Sequence, residues 1–246
     1  MNGLKILISQ PSPQTNNPYA AICQKFGATV DFKPLFTNQA LSLREFRAQH
    51  VEIPEYTAIV FSSKTVIDAF FSLCEQLRVK IPDSQKYFCT TEAVAMYLQK
   101  HIVYRKRKIF FGTGTAQSIL DLVGAKHADE NFLITTSGTL ENDITKAFDG
   151  SPLKHTAAMF VKPVSSDLAG VDLSQYEVMV LYNKSDIVAI KENFPAFKQG
   201  NIKFITFGRS IVSAMSEAGL NIEISAPSTE VPSVAKALEI YLSSRA

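Results

Sequence analysis

Hydroxyl-bearing and cationic residues recur at five points of the sequence, each where a short apolar run gives way to a helical pattern. We call these segments the elbows; they are Ser62-Ser63-Lys64-Thr65, Thr90-Thr91, Thr135-Thr136-Ser137-Gly138, Asn183-Lys184-Ser185 and Gly208-Arg209-Ser210. The first turn of a helix leaves N–H groups without partners inside the helix, and these groups stabilise anions, as Lys and Arg do. Ser and Thr are also common N-cap residues, so one elbow alone predicts only the start of a helix. Five elbows favour a binding site for a ligand that carries several carboxylates or phosphates.

The rest of the sequence contains none of the common catalytic signatures, such as GxGxxG, GxxxxGK, GxSxG or HExxH. Gly112–Thr115 follows a strand pattern and precedes a helical one, which is typical of a phosphate-binding loop or of a plain turn. Arg105–Lys108 is a dense basic run before a predicted strand. It fits either a solvated approach to an edge strand or a binding site for a polyanion.

Histidines and cysteines do not form a metal-binding pattern. The four histidines are dispersed and are predicted to lie on the surface or in loops: His50, His101, His127 and His155. The three cysteines are widely spaced without a CxxC pair, and they are predicted to be small buried hydrophobic residues: Cys23, Cys74 and Cys89. We therefore expect no metal site.

Short apolar runs alternate with amphipathic stretches along the whole chain. The predicted strands are Leu4–Ser9, Val30–Pro34, Ala58–Ser62, Tyr87–Thr90, Ile109–Gly112, Phe132–Thr136, Ala157–Lys162, Val178–Tyr182, Phe204–Phe207 and Ile222–Ser225. The predicted helices are Tyr19–Phe26, Lys64–Gln76, Thr91–Lys100, Ala116–Val123, Glu141–Phe148, Asp186–Asn193, Ser210–Ala218 and Val231–Ser243, with Gly27 as a helix C-cap. Strands that are apolar throughout are covered by helices on both faces, so the pattern predicts a parallel α/β fold.

The chain also resembles itself, since residues 56–67 and 176–187 both read as strand, polar elbow and helix. Either a duplication or the general likeness of βαβ units explains this. We expect two similar α/β domains, one formed by residues 1–36 and 168–246 and the other by residues 42–160, with hinge strands near 36–42 and 161–168. Ligands of open α/β sheets bind at the carboxyl ends of the strands, so the elbows are expected to face a cleft between these domains.

Composition limits the class of protein. The chain has 246 residues, 46% of them hydrophobic, and a formal net charge of +2. This composition is that of a globular protein, and the small net charge argues against a nucleic-acid or membrane-surface protein. The sequence has no apolar run long enough to span a membrane, and its first strand is too short for a signal peptide. We expect a cytoplasmic protein.

Several short motifs, in this order and spacing, resemble the uroporphyrinogen-III synthase family, particularly its forms from Bacteroidetes-type bacteria. They are Ile6-Leu7-Ile8-Ser9-Gln10-Pro11, Ala58-Ile59-Val60-Phe61-Ser62-Ser63, Lys86-Tyr87-Phe88-Cys89-Thr90-Thr91-Glu92, Tyr97–Lys100, Arg105–Phe110, Val164–Leu168, Phe207–Ser210, Glu217–Leu220 and Ala226-Pro227. Each motif is weak alone, and the resemblance rests on their order over more than 200 residues.

The resemblance implies two α/β domains joined by two strands, and a monomeric lyase that needs no cofactor. Its substrate would be hydroxymethylbilane, a linear tetrapyrrole with eight carboxylates, which loses water and closes with inversion of the last pyrrole. The residues expected to bind the substrate are Gln10, Ser62, Ser63, Lys64, Thr90, Thr91, Ser137, Asn183, Lys184, Ser185, Gly208, Arg209 and Ser210. No catalytic residue is identified, although Ser210 is a candidate.

The chain departs from the family pattern at several positions. Phe160 occupies the position of a family tyrosine that is credited with assisting loss of the hydroxyl, and phenylalanine has no O–H to donate. Gln10 replaces a common arginine, and Ile211 replaces a hydroxyl residue. These departures leave a second hypothesis open. In it the chain is a homologue with little or no activity that binds a tetrapyrrole or another polycarboxylate in the interdomain cleft. A different α/β enzyme that binds a phosphorylated ligand through Gly112–Thr115 is a third hypothesis.

Overall fold

The computed structural model describes residues 4–245, apart from the side chains of Arg209 and Ser210. The strands are β1 (Lys5–Ile8), β2 (Thr29–Phe32), β3 (Phe36–Ala40), β4 (Ala58–Phe61), β5 (Lys86–Cys89), β6 (Ile109–Phe111), β7 (Phe132–Ser137), β8 (His155–Ser165), β9 (Val178–Leu181), β10 (Lys203–Phe207) and β11 (Ile222–Ala226). The helices are α1 (Ala20–Phe26), α2 (Leu43–Arg47), α3 (Lys64–Leu77), α4 (Glu92–Tyr97), α5 (Ala116–Val123), α6 (Asp143–Asp149), α7 (Lys184–Asn193), α8 (Arg209–Glu217) and α9 (Val234–Ser243).

The chain divides into two compact units. Unit 1 contains the residues up to Thr37 and those from Val164 onwards, and unit 2 contains Asn38–Pro163. The chain passes from unit 1 into unit 2 within β3 and returns within β8.

Unit 1 is built on a sheet with the strand order β11-β10-β9-β1-β2, in which every neighbouring pair is parallel. Successive side chains of a strand point to opposite faces, and each face of this sheet is buried against helices. One face packs Leu7 and Met179 against α7 and α8. The other packs Ile6 and Val178 against α1 and α9. This two-sided burial explains the continuous apolar runs in the sequence.

Unit 2 has a sheet with the order β3-β8-β7-β4-β5-β6, in which β8, β7, β4, β5 and β6 are parallel. Ile59 and Phe61 pack against α3 on one face. Val60 and Phe88 pack against α5 and α6 on the other. The structure thus confirms the parallel α/β class that the sequence predicts.

Residues 36–40 form β3 beside β8, within the region 36–42 where a hinge strand is expected. The helix α2 is absent from the sequence prediction. Ser42 and Glu45 form a reciprocal capping box that starts α2, and this spacing is visible in the sequence. Gly27 is confirmed as the C-cap of α1, in the left-handed conformation that glycine adopts readily.

The buried side chains include two of the three cysteines. Cys74 and Cys89 are buried as predicted, and burial raises the pKa of each thiol to about 12. Cys23 is only partly buried. The surface prediction for His127 is wrong: its ring is buried and lies near the rings of Phe88 and Phe110. Within residues 4–245, no helix has the length and apolar character needed to cross a membrane.

Candidate functional site

The three elbows of unit 2 lie along one edge of its sheet. They follow β4, β5 and β7, which are neighbouring parallel strands with Val60 opposite Ile134 and Phe61 opposite Cys89. The carboxyl ends of parallel strands meet at the same edge, where the ligands of open α/β sheets bind. The structure therefore brings these predicted site residues together: Ser62, Ser63, Lys64, Thr90, Thr91 and Ser137.

Two hydroxyls on this edge cap helices. The Ser63 hydroxyl accepts the N–H of Val66 at 3.3 Å, and the Thr91 hydroxyl accepts the N–H of Val94 at 3.4 Å. A hydroxyl that accepts such a bond keeps its own O–H as a donor. Both side chains are partly exposed, so both can donate to a carboxylate.

Other hydroxyls of this edge donate hydrogen bonds to backbone carbonyls of the protein. Thr90 donates to the carbonyl of Ser62 at 3.2 Å and so joins two neighbouring elbows. Thr135 donates to the carbonyl of Val60 at 2.6 Å, and Thr136 donates to that of Ala158 at 3.2 Å. These three residues position the edge, whereas Ser137 at the end of β7 is exposed.

Lys64 places a cation at the same edge. Its Nζ lies 5.5 Å from the ring centroid of Tyr97, a cation–π geometry. The Tyr97 hydroxyl donates to Asp68 at 2.7 Å, and Asp68 also contacts His101 and Lys100. Burial alone would raise the pKa of Asp68, but these bonds outweigh it and hold that pKa below its usual value. The sequence does not reveal this support for Lys64, because α3 and α4 meet only in the folded unit.

The loop Gly112–Thr115 uses its N–H groups within the protein. Gly112 donates to the carbonyl of Cys89 at 2.9 Å, Thr113 to the hydroxyl of Ser118 at 3.0 Å and Gly114 to the carbonyl of Thr90 at 2.8 Å. A Cβ at Gly112 would lie 2.3 Å from that Ser118 hydroxyl, which explains the glycine. A phosphate loop needs such N–H groups free, so the geometry favours the plain turn.

The elbows of unit 1 also lie at the carboxyl edge of their sheet. Asn183 caps α7 by accepting the N–H of Ser185 at 3.0 Å, and Lys184 beside it is exposed. The Ser185 side chain is buried. Gln10 is exposed and follows the neighbouring strand β1.

The elbow after β10 begins at Gly208, which has a φ of 107°, and α8 starts at the next residue. Positive φ of this size favours glycine. The side chains of Arg209 and Ser210 lie outside the described part of the chain, so the candidate catalytic role of Ser210 stays a prediction.

A buried carboxylate joins the strand ends of unit 1. One oxygen of Asp186 accepts bonds of 2.9 Å each from the N–H of Tyr182, the N–H of Asn183 and the hydroxyl of Ser9. Its other oxygen is buried with no partner among the described residues. Burial raises the pKa of Asp186 despite the three bonds. Sequence reasoning missed this residue, although the spacing of Asn183 and Asp186 is that of a capping box.

Two tyrosines meet at this edge as well. The hydroxyls of Tyr19 and Tyr182 are 3.3 Å apart, and burial raises the pKa of Tyr182 well above its usual value. The ring of Tyr19 lies 5.9 Å from that of Phe32, and the ring of Tyr182 lies 5.9 Å from that of Phe207. The carboxyl edge of unit 1 therefore carries apolar aromatic surface beside its polar elbows.

Phe160 is not part of either edge set. It lies in β8 with its ring fully buried, 5.0 Å from the ring of Phe46 and 5.4 Å from that of Phe70. The side chain is a core residue of unit 2, and it has neither a hydroxyl nor access to solvent.

Comparison with known proteins gives a family. A family model described as uroporphyrinogen-III synthase HemD matches residues 17–236. Uroporphyrinogen-III synthetase from Helicobacter pylori is 17% identical, with 98% of this chain and 100% of that chain covered and a TM-score of 0.58. A mutant uroporphyrinogen III synthase from the extremely thermophilic bacterium Thermus thermophilus is 11% identical, with 98% of each chain covered and a TM-score of 0.53. No curated protein sequence matches. At these identities the solved structures show a shared fold.

Proposed function

The chain belongs to the uroporphyrinogen-III synthase family, and we propose that its elbows bind the carboxylates of hydroxymethylbilane. The observation that carries the assignment is the family match, which spans residues 17–236. Members of this family are lyase-type enzymes of tetrapyrrole biosynthesis. The reaction removes the terminal hydroxyl as water and closes the ring with the last pyrrole inverted.

The chemistry of the elbows suits such a substrate. Ser63 and Thr91 each retain an O–H donor, and Lys64 and Lys184 each place a cation beside a helix start. Hydrogen bonds from these groups to a carboxylate are charge-assisted and therefore stronger than neutral ones. Both units offer this chemistry at the carboxyl edge of a parallel sheet, which supports the proposal that both contribute to binding.

Binding of this kind can itself accelerate the reaction. A linear tetrapyrrole must bring its two ends together, and holding reacting groups in place can supply several kcal/mol, up to about 10 kcal/mol. Loss of the hydroxyl leaves a carbocation that the pyrrole nitrogen stabilises, so the substrate supplies much of the chemistry. We propose that the protein folds and orients the substrate and needs no cofactor.

Turnover of fresh hydroxymethylbilane tests the function. The purified protein is incubated with this substrate, the products are oxidised to porphyrins, and the type I and type III isomers are separated. We expect the type III isomer to dominate. The type I isomer alone, formed at the rate seen without protein, would contradict the proposal.

The burial of Phe160 favours one alternative, a homologue that binds the tetrapyrrole without turning it over. Phe160 supplies no hydroxyl, and Ile211 is likewise fully buried and apolar. This alternative predicts saturable binding of uroporphyrinogen together with formation of the type I isomer only.

We also propose that the protein works as a monomer in the cytoplasm, without a nucleic-acid or membrane partner. The family resemblance and the net charge of +2 support this. Size-exclusion chromatography with light scattering is expected to give a mass close to 27.2 kDa. A mass twice as large would contradict the monomer.

A further inference from the structure

Five cations surround one cavity at the amino end of the sheet of unit 2. The cavity has a volume of about 760 Å³ and is lined by Ser84, Lys86, Arg105, Lys106, Arg107 and Lys108. We call it the basic cavity. It lies where β5 and β6 begin, whereas the elbows follow the ends of these parallel strands. The basic cavity is therefore separate from the proposed substrate-binding edge.

The charge in the basic cavity is only partly compensated. Lys86 pairs with Glu130, and Arg105 pairs with Asp83 at 3.2 Å. Lys106, Arg107 and Lys108 form no ion pair with any other residue described in the structure. Cations held this close repel one another, and a multivalent anion between them relieves that repulsion.

The backbone fixes the basic run in place. The N–H of Lys108 donates to the carbonyl of Arg105 at 2.9 Å, and the carbonyl of Lys108 accepts the N–H of Tyr87 at 2.8 Å. Protection of an edge strand explains cations immediately before β6, which is at the edge of the sheet. It does not explain Lys86, which starts the interior strand β5 and lines the same cavity.

An apolar groove adjoins the basic cavity. A second cavity of about 230 Å³ shares Arg105 and Lys108 with it. Its apolar lining residues are Ile81, Pro82, Tyr87, Ile102, Val103 and Ile109. A ligand that fills both spaces has anionic groups at one end and an apolar body at the other.

We propose that the basic cavity and this groove form a second binding site, for a small molecule that carries several anionic groups on an apolar body. Carboxylates and phosphates both meet this description, so the shared chemistry defines the site. Because the site lies away from the elbows, a ligand can bind there whether or not the protein turns over hydroxymethylbilane.

Two probes and a charge reversal test the proposal. The probes are uroporphyrin I, a macrocycle with eight carboxylates, and ATP without magnesium, which joins a triphosphate to a flat apolar base. Lys106→Glu/Arg107→Glu reverses two exposed cations of the cavity. Lys191→Glu/Lys198→Glu makes the same change of charge at exposed positions of unit 1 and is the matched control. Binding is measured by titration calorimetry at two salt concentrations, and the fold of each variant by circular dichroism.

We expect the cavity variant to bind at least one probe ten or more times more weakly than the wild type, with a smaller salt dependence. The control variant is expected to bind as the wild type does. Weakening for uroporphyrin I alone identifies carboxylates, weakening for ATP alone identifies phosphates, and weakening for both identifies recognition by charge. Unchanged binding of both probes overturns the proposal.

Turnover separates this proposal from the function proposed above. The cavity variant is expected to retain the wild-type yield of the type III isomer, because the elbows are intact. If the wild type yields no type III isomer, the proposed function fails, while the binding comparison still decides the second site. Lys106→Ala/Arg107→Ala, which removes charge without reversing it, is expected to weaken binding less than the reversal does.

Discussion

Two threonine hydroxyls at the edge of unit 2 differ in the hydrogen bonds that they form. The Thr91 hydroxyl accepts a bond from a helix N–H and keeps its proton for a ligand, while the Thr90 hydroxyl gives its proton to the carbonyl of Ser62. These two residues are adjacent in the sequence. The sequence predicts that both lie at a helix start, but the bond that Thr90 donates depends on Ser62, which is distant in the sequence.

Phe160 allows a test of one residue. Phe160→Tyr would place a hydroxyl in a fully buried apolar cluster, and a buried hydroxyl without a partner destabilises a protein by about 1–3 kcal/mol. We expect this variant to have a lower free energy of unfolding in urea and no gain in turnover of hydroxymethylbilane. A clear rise in turnover would show instead that a hydroxyl at this position reaches the substrate.

Asp186 allows a second test. Asp186→Ala leaves the N–H groups of Tyr182 and Asn183 and the Ser9 hydroxyl without their acceptor, so we expect a loss of about 2–4 kcal/mol in the free energy of unfolding. Ser9→Ala removes only one of the three bonds and is expected to lose about 1 kcal/mol. Equal losses in the two variants, measured by urea unfolding, would contradict the role assigned to the carboxylate.

Helix starts are the elements that connect the fold to the site. The sequence predicts most strands and helices, because two-sided burial leaves apolar runs and hydroxyl caps leave a visible signal. It indicates β3 only as a hinge strand near residues 36–42, because four of its five residues are exposed and its bounds depend on β8 beside it. Long-range pairing of this kind leaves no local pattern.

Ser63 allows the cap and the ligand contact to be separated. Ser63→Ala removes the cap of α3 and is expected to reduce the free energy of unfolding by about 1 kcal/mol, whereas Ser63→Gly reduces it by only a few tenths. Both variants lack the hydroxyl, so we expect both to raise KM for hydroxymethylbilane by the same factor. Asp172→Ala is the control, because Asp172 caps the short helix before β9, at the amino end of that strand. If KM rises more in the less stable Ser63→Ala than in Ser63→Gly, the increase depends on stability and not on the hydroxyl, which would contradict the binding role.

For the whole molecule, the sequence predicts the parallel α/β class and the family, and the structure adds the environment of each side chain. The burial of Phe160 and the partners of Asp186 each depend on residues distant in the chain. The same is true of the basic cavity, where Lys86 joins a basic run that begins nearly twenty residues later. A local pattern identifies residue types, and only the folded chain shows which of them share a surface.

The buried thiols make stability depend on pH. Burial raises the pKa of Cys74 and Cys89 to about 12, against about 8.5 for a thiol in an unfolded chain. Between these values the unfolded chain loses protons that the folded one keeps. The free energy of unfolding therefore falls as the pH rises above about 8.5, by up to about 1.4 kcal/mol per pH unit for each thiol.

Urea unfolding between pH 7 and pH 10 measures this slope. We expect Cys74→Ala/Cys89→Ala to be less stable than the wild type at pH 7, because the small cavities reduce packing, but to lose less stability as the pH rises. Cys23→Ala is the control, since Cys23 is only partly buried. Parallel pH profiles for the wild type and the double variant would contradict the assignment.

The two passages through β3 and β8 determine the order in which the units can be completed during synthesis. All of Asn38–Pro163 emerges from the ribosome before β9 does, so unit 2 is complete outside the ribosome while only the first part of unit 1 has emerged. In unit 1, Ile6 of β1 must wait for Val178 of β9 before the centre of its sheet can form. During this interval the apolar strand β1 lacks its neighbour β9, because all of unit 2 lies between the two strands in the sequence. Folding in the cell is therefore expected to proceed from the inserted unit to the one that surrounds it.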